Sequence, residues 1–435
     1  EALSMAQEKG WPVRKQLNDG RVMELQRLAP NGRPVYYITH NATAARTIST
    51  DKVHPGGAAG LNLTGSGYTI GIWDAGRANT SHQEFGGRVT QVDNAATCDA
   101  HASHVTGTAI ATGIDPAAKG MAPAARANTY DFNNDLAEMQ TAGGAGLVVS
   151  NHSYGPNAGW SNEDGPVWRW YGDPALSANE DYQFGFYTQE CADWDNLARL
   201  APFYLMVVSA GNDRTDDGPA LGTSYEIFQN GNWVTATTPR SPDGDFDCIA
   251  GTALAKNVLT VGAVQDIPNG YVTSGDVLIS DFSSWGPTDD GRIKPDVVAN
   301  GVGVRSTNCS ANGYEDQDGT SMAAPSVAGS ALLLQQHYAN THNNAQLRAS
   351  TLKALILHTA DEAGTSPGPD YRHGWGLMNT ARAADLITRD GTNRFILENQ
   401  LNNGGNFTLN INALGTEPLK VTVVWADPAG TPDRK

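Results

Sequence analysis

What most constrains the fold of this chain is a series of short apolar runs that lack polar alternation and are separated by stretches of helical character. The runs at 68–73 (YTIGIW), 147–150, 203–209 (FYLMVVS), 258–264 and 296–299 predict strands, and the segments at 101–111, 193–200, 321–338 and 349–359 predict helices. A strand apolar on both sides has to be covered on both faces, which is the condition of a mostly parallel sheet held between helical layers. The expected class is α/β, and in such sheets reactive groups collect at the carboxyl ends of strands.

At 435 residues the chain is long enough for more than one domain. Residues 1–50 read as an N-terminal appendage or precursor-like segment, with a short helix at 2–9 and strands at 21–27 and 34–39 around the turn Pro30, Asn31, Gly32. Residues 51–390 carry the α/β pattern. In 391–435 the texture changes, because 406–411 (NFTLNI) and 419–425 (LKVTVVW) alternate polar and apolar residues as half-buried antiparallel strands do. Two or three strands are marginal alone, so this tail is read as the start of a β domain that is incomplete at Lys435.

Acidic side chains number 46 against 29 basic ones, a formal charge of -17 that opposes nucleic acid or an anionic membrane as partner. No apolar stretch approaches the roughly 20 residues of a membrane span. Cys98, Cys191, Cys248 and Cys309 are spaced too widely for a zinc knuckle. They read as two disulfides of open connectivity, against the alternative of free buried thiols, and disulfides lean towards a secreted protein. The chain begins at Glu1 without a leader, so a signal peptide, if there is one, is expected to have been removed or omitted.

Separated segments carry candidate chemistry. GTSMAAP at 319–325 opens a long helix and sets Ser321 near its N-terminus, where free backbone amides favour developing negative charge. Serine needs a base to act as a nucleophile, and Ser321 is equally readable as a helix cap. HASHVTGT at 101–108 offers His101 as that base, with His104 on the same helical face as either a structural imidazole or a metal partner. Asp74 ends the first apolar strand, where a carboxylate can orient an imidazole and stabilise its charged form, or simply cap a turn. SAGN at 209–212 places Asn212 after the most apolar strand, as a side-chain donor to an oxyanion or as a turn residue. NHSYG at 151–155 places Ser153, Tyr154 and Gly155 on a strand edge able to offer backbone hydrogen bonds to an extended peptide.

These segments resemble the subtilisin-like serine peptidases, in the order Asp, His, Ser. The resemblance rests on Asp74 with Gly76, on His101, His104, Val105, Gly107 and Thr108, on Ala210, Gly211 and Asn212, and on Gly319, Thr320, Ser321, Met322, Ala323 and Pro325. It implies a three-layer subtilisin-like fold over about 61–386 and a tail that begins a β-barrel or jelly-roll domain. It also implies a catalytic triad of Asp74, His101 and Ser321, an oxyanion hole from Asn212 and the Ser321 amide, and substrate binding at Ser153, Tyr154 and Gly155. The substrates implied are proteins or peptides, with a cleaved precursor or C-terminal fragment as further partner, in a secreted setting. Ala102 and Ser103 depart from the family's usual glycine and threonine, and Trp73 from its usual small or aliphatic residue.

No cofactor is expected for catalysis. Structural calcium is expected at Asp243, Asp245 and Asp247 in SPDGDFD, with Glu315, Asp316 and Asp318 as a second acidic run. The interval 157–196, which holds Trp160, Trp168, Trp170 and Trp194, reads as an insertion whose tryptophans either wall a substrate cleft or bury a local core.

Overall fold

The computed structural model describes residues 2–9, 13–16, 22–28, 34–38, 41–162, 166–229, 232–393, 395–412, 415–416 and 418–432. The central sheet comprises β1 (Thr69–Asp74), β2 (Val89–Gln91), β3 (Arg126–Asp131), β4 (Val149–His152), β5 (Leu205–Ser209), β6 (Leu259–Val264) and β7 (Val297–Asn300). Its order is β7-β6-β5-β4-β1-β3-β2, and every neighbouring pair is parallel. The helices that concern the site are α1 (Ala100–Ile110), α2 (Asp135–Gly144), α3 (Gln189–Leu200), α4 (Thr320–Thr341), α5 (Ala349–Thr359) and α6 (Thr380–Asn393).

Strand β5 shows why the apolar runs do not alternate. Leu205 and Val207 enter one core with Val105 of α1, Leu332 of α4 and Ile356 of α5. Met206 and Val208 enter the opposite core with Met139 of α2 and Trp194 and Leu197 of α3. Each large aliphatic side chain so buried contributes roughly 1.5–3 kcal/mol, and both faces of the strand collect that gain. The sequence RANTYD of β3 hides the same design behind polar residues. Ala127 joins the first core and Tyr130 the second, while the buried Thr129 hydroxyl donates to the Gln91 side chain at 2.6 Å.

The N-terminal segment folds as a helix (Ala2–Lys9) and an antiparallel sheet of Arg14–Gln16, Val22–Leu28 and Pro34–Ile38. The expected turn at Pro30, Asn31 and Gly32 lies outside the described residues. The interval read as an insertion builds a sheet of its own, in the order Asn232–Ala236, Tyr225–Gln229, Arg169–Trp170, Trp160–Ser161. Trp160 and Trp170 bury themselves there against Tyr225 and Ile227, and Trp194 is buried in the main core. These three tryptophans therefore form cores, and the added unit extends past 196 to the hairpin at 225–236.

The expectation of two disulfides is corrected. A single bridge forms between Cys98 and Cys309, and Cys191 and Cys248 are free and buried. The free pair face different surroundings: Cys191 packs beside Trp194 with its thiol on the Gly251 carbonyl at 3.2 Å, whereas Cys248 packs with Ala158 and Phe184. In the tail, the described residues of 395–432 form no strand, although Val424 packs against the larger core and Thr422 Oγ1 lies 2.9 Å from His358 Nδ1. Its later part lies along the α/β body. Asp427 exchanges hydrogen bonds with Asn257 at 2.8 and 2.9 Å, and the Gly430 amide donates to the Tyr187 hydroxyl at 3.0 Å.

Candidate active site

Sheet order places β5, β4 and β1 side by side, so residues just past or at their carboxyl ends are neighbours although distant in sequence. Asp74 closes β1, Ser153 follows β4 and Asn212 lies beyond β5. Asp74 is buried, its side chain 2% exposed, and its Oδ1 accepts the His101 Nδ1–H at 2.8 Å. That bond fixes the neutral tautomer and leaves the His101 Nε2 lone pair available to take a proton. Burial pulls His101's proton affinity down, but the charge and hydrogen bond of Asp74, with the charge of Asp99, outweigh it and raise His101 above its ordinary range.

His104 separates cleanly from its neighbour. Fully buried, it donates Nε2–H to the Val304 carbonyl at 2.8 Å, and burial pushes its affinity down to about 3. It is a neutral tie between α1 and the strand Val304–Thr307, not a partner of His101 in a metal site.

Ser321 is the second residue of α4 and is buried. Gly319 precedes it at φ 149°, a backbone conformation that a side chain rarely adopts, so the sharp entry into the helix depends on glycine. The Ser321 hydroxyl donates to the Ser153 carbonyl at 3.2 Å, and the Ser153 hydroxyl donates back to the Ser321 carbonyl at 3.0 Å. Asn212 is anchored by Thr320, whose backbone amide and hydroxyl donate to its Oδ1 at 2.9 and 3.0 Å. The Gly211 amide in turn donates to the Thr320 hydroxyl at 3.1 Å. With Oδ1 engaged, Nδ2 is the free end of Asn212 and lies over Gly319, 3.5 Å from where a Cβ would stand. Thr320 thus fixes the Asn212 side chain, a contact that its place in GTSMAAP does not announce.

Behind the edge segment runs a buried chain of hydrogen bonds that the sequence did not reveal. The Tyr204 hydroxyl donates to Ser150 Oγ at 2.7 Å, and Ser150 lies 2.7 Å from His152 Nε2. His152 Nδ1 lies 3.0 Å from the Tyr154 hydroxyl, which donates to Asp135 Oδ2 at 2.8 Å. Because Tyr154 donates to the carboxylate, His152 must donate through Nδ1 and accept through Nε2. Burial pushes His152 down to about 3, keeping it neutral. Tyr154 is therefore held by its hydroxyl, while Gly155 is exposed with open space on its Cα. Trp73 stacks on Tyr130 at 4.3 Å and donates its indole N–H to Glu138 at 3.0 Å. It fits because Gly71, two residues back on the same face, has no side chain to meet the ring.

The three carboxylates of the acidic run 241–247 take different partners. Asp243 turns inward and accepts the Trp160 amide at 2.9 Å, Asp245 faces out to Arg214 at 2.9 Å, and Asp247 sits against Gly185. Gly244 and Asp247 both have positive φ, which breaks the extended geometry that would have aligned the three. Burial, opposed by the Trp160 amide, together with the nearby charges of Asp213, Asp216 and Asp181, pushes Asp243 up to about 9. The second run is likewise spread: Asp316 pairs with Arg305 at 3.6 Å, and Asp318 accepts the Gly303 amide at 2.5 Å.

A buried carboxylate on an imidazole, a hydroxyl opening a helix and an anchored amide, borne on segments that follow parallel strands, are groups that a serine hydrolase built on an α/β sheet can use. The chain belongs to the subtilase family, whose description matches residues 50–376, and is a subtilisin-like serine endopeptidase. It is 25% identical over 355 residues to the serine protease AprX of Bacillus subtilis (strain 168), covering 75% of this chain and 69% of that protein. It is 24% identical to the serine protease/ABC transporter B family protein tagA of Dictyostelium discoideum, covering 83% of this chain but 24% of the relative. Against the PII-type proteinase of Lacticaseibacillus paracasei it is 32% identical over 187 residues, 40% of this chain and 9% of the relative. The chain thus spans a small part of the longer relatives. In fold it is similar to the Clostridium perfringens CspB protease, with a TM-score of 0.56 and 17% identity over 79% of this chain and 99% of that one. No helix among the described residues is long and apolar enough to cross a membrane.

Proposed function

We propose that the chain cleaves extended polypeptides through a triad of Asp74, His101 and Ser321, with Asn212 and the Ser321 backbone amide as oxyanion donors. The observation that carries this reading is the 2.8 Å bond between His101 Nδ1 and the buried Asp74 carboxylate, on a sheet whose neighbouring strand ends bring Ser153, Ser321 and the Thr320-anchored Asn212 together. Substrate lies as an added strand along Ser153, Tyr154 and Gly155. The Ser321 hydroxyl turns from the Ser153 carbonyl towards His101 Nε2, which takes its proton as Oγ attacks the substrate carbonyl carbon. Asn212 Nδ2–H and the Ser321 amide hold the oxyanion. His101 then gives the proton to the leaving amine, and water hydrolyses the acyl-enzyme by the reverse path. Subtilases need no cofactor for this chemistry.

We also infer a secreted protein, because the Cys98–Cys309 bridge persists in an oxidising compartment. The N-terminal sheet is read as a precursor-like appendage and the alternating tail as the start of a β-rich domain. Digestion of a diverse peptide mixture by the wild type and by Ser321→Ala tests the central reading. The expected outcome is sequence-specific internal cuts that vanish in the variant, and specific cuts retained by the variant would overturn it.

A further inference from the structure

We propose that Asp99 is a positioning residue for this reaction: it joins the loop after Asp74 to the start of α1 and stands as a second carboxylate beside the Asp74–His101 pair. The proposal rests on the triad reading above. Ligand atoms of Asp74, Asp99 and His101 all lie within 4.8 Å of one another. Asp99 caps α1, its Oδ1 accepting the Ala102 amide at 2.8 Å. Its carbonyl accepts the Ser103 amide at 3.1 Å and the Ser103 hydroxyl at 2.8 Å. Its own amide donates to the Arg77 carbonyl at 2.9 Å, three residues beyond Asp74. A Cβ on Gly76 would stand 3.1 Å from the Asp99 Cβ, so the bare glycine is what lets the two segments approach. Cys98, the preceding residue, is bridged to Cys309, which pins the cap.

Two carboxylates this close repel, and the repulsion is relieved when a cation forms between them. His101 becomes that cation when it takes the Ser321 proton, so Asp99 favours the charged imidazole at the moment the reaction needs it, without touching substrate. The charged or titratable groups felt by His101 are Asp74 from β1, Asp99 at its own helix cap and the neutral buried His104 one turn on, and the triad reading adds only the uncharged Ser321 from α4. Arg77 is the basic residue of the loop after β1. The charge of Asp99 is among the influences that raise His101.

The test separates charge from capping. Asparagine and serine cap helices about as well as aspartate, so Asp99→Asn and Asp99→Ser remove the charge and keep the cap, whereas Asp99→Ala removes both. The profile of kcat/KM against pH falls on the acid side as His101 protonates. In Asp99→Asn and Asp99→Ser its midpoint is expected about half to one pH unit lower than in wild type, with KM and melting temperature little changed. Asp99→Ala shows the same displacement together with a lower melting temperature. An acid limb that stays in place in both neutral caps, while only the alanine variant melts earlier, reduces Asp99 to a helix cap and overturns the proposal. Labelling by a serine-directed covalent inhibitor tells the two failures apart. Labelling at Ser321 with an unmoved limb rejects Asp99 alone, and absence of labelling at Ser321 rejects the triad and the Asp99 proposal together.

Discussion

At the scale of single residues, hydrogen bonding leaves one free end on each of two side chains. Asn212 Oδ1 is used up by Thr320, which leaves Nδ2 to donate, and His101 Nδ1 is used up by Asp74, which leaves Nε2 to accept. Asn212→Ala is therefore expected to lower kcat by about 100 to 1000 fold with KM nearly unchanged, a magnitude carried over from subtilisin, and steady-state kinetics on a peptide substrate check it. His101 lies above its ordinary range. In the proposed triad the neutral ring is the base, so activity is expected to be lost as pH falls through that raised value, and the acid midpoint of kcat/KM should lie above about 6.5. A midpoint below it would contradict the pairing with Asp74 and Asp99.

At the scale of elements, the sheet edge is fastened by a buried charged trio. Asp296, just before β7, accepts from Lys294 at 2.7 Å and from Lys353 of α5 at 2.9 Å, and the Thr260 amide of β6 donates to it at 2.8 Å. One carboxylate thus ties two strands to a helix. Asp296→Ala leaves two buried ammonium groups without their counter-charge, so unfolding should require about 3–5 kcal/mol less in denaturant titration. The active-site helix has its own fastening: His104 on Val304, Ser306 on the His104 carbonyl at 2.8 Å and Thr307 on the Ser103 carbonyl at 2.7 Å. These contacts explain the hydroxyl residues along Val304–Thr307, a strand whose role the sequence does not announce.

At the scale of the whole molecule, the bridge between Cys98 and Cys309 spans 211 residues of chain and holds the His101 cap to the hairpin that leads into Ser321. Thiol titration should find no fast-reacting group in the native protein, because the two free cysteines are buried. After denaturation without reductant it should find Cys191 and Cys248, and after reduction all four; reactive thiols at Cys98 or Cys309 before reduction would refute the bridge. The sequence by itself determined the layered α/β class, because strands apolar on both faces admit few other solutions, and it marked Asp74, His101, Asn212 and Ser321, because each sits in a short local pattern of small residues at an element end. It did not determine β3, whose burial is spread over Ala127, Thr129 and Tyr130, or the chain from Tyr204 to Asp135, whose members are far apart in sequence. Which cysteines meet, where the Asp243 run points and what covers the tail were likewise decided only by tertiary structure. Those outcomes depend on which surfaces the folded chain brings within a few ångströms, and no local pattern encodes that distance.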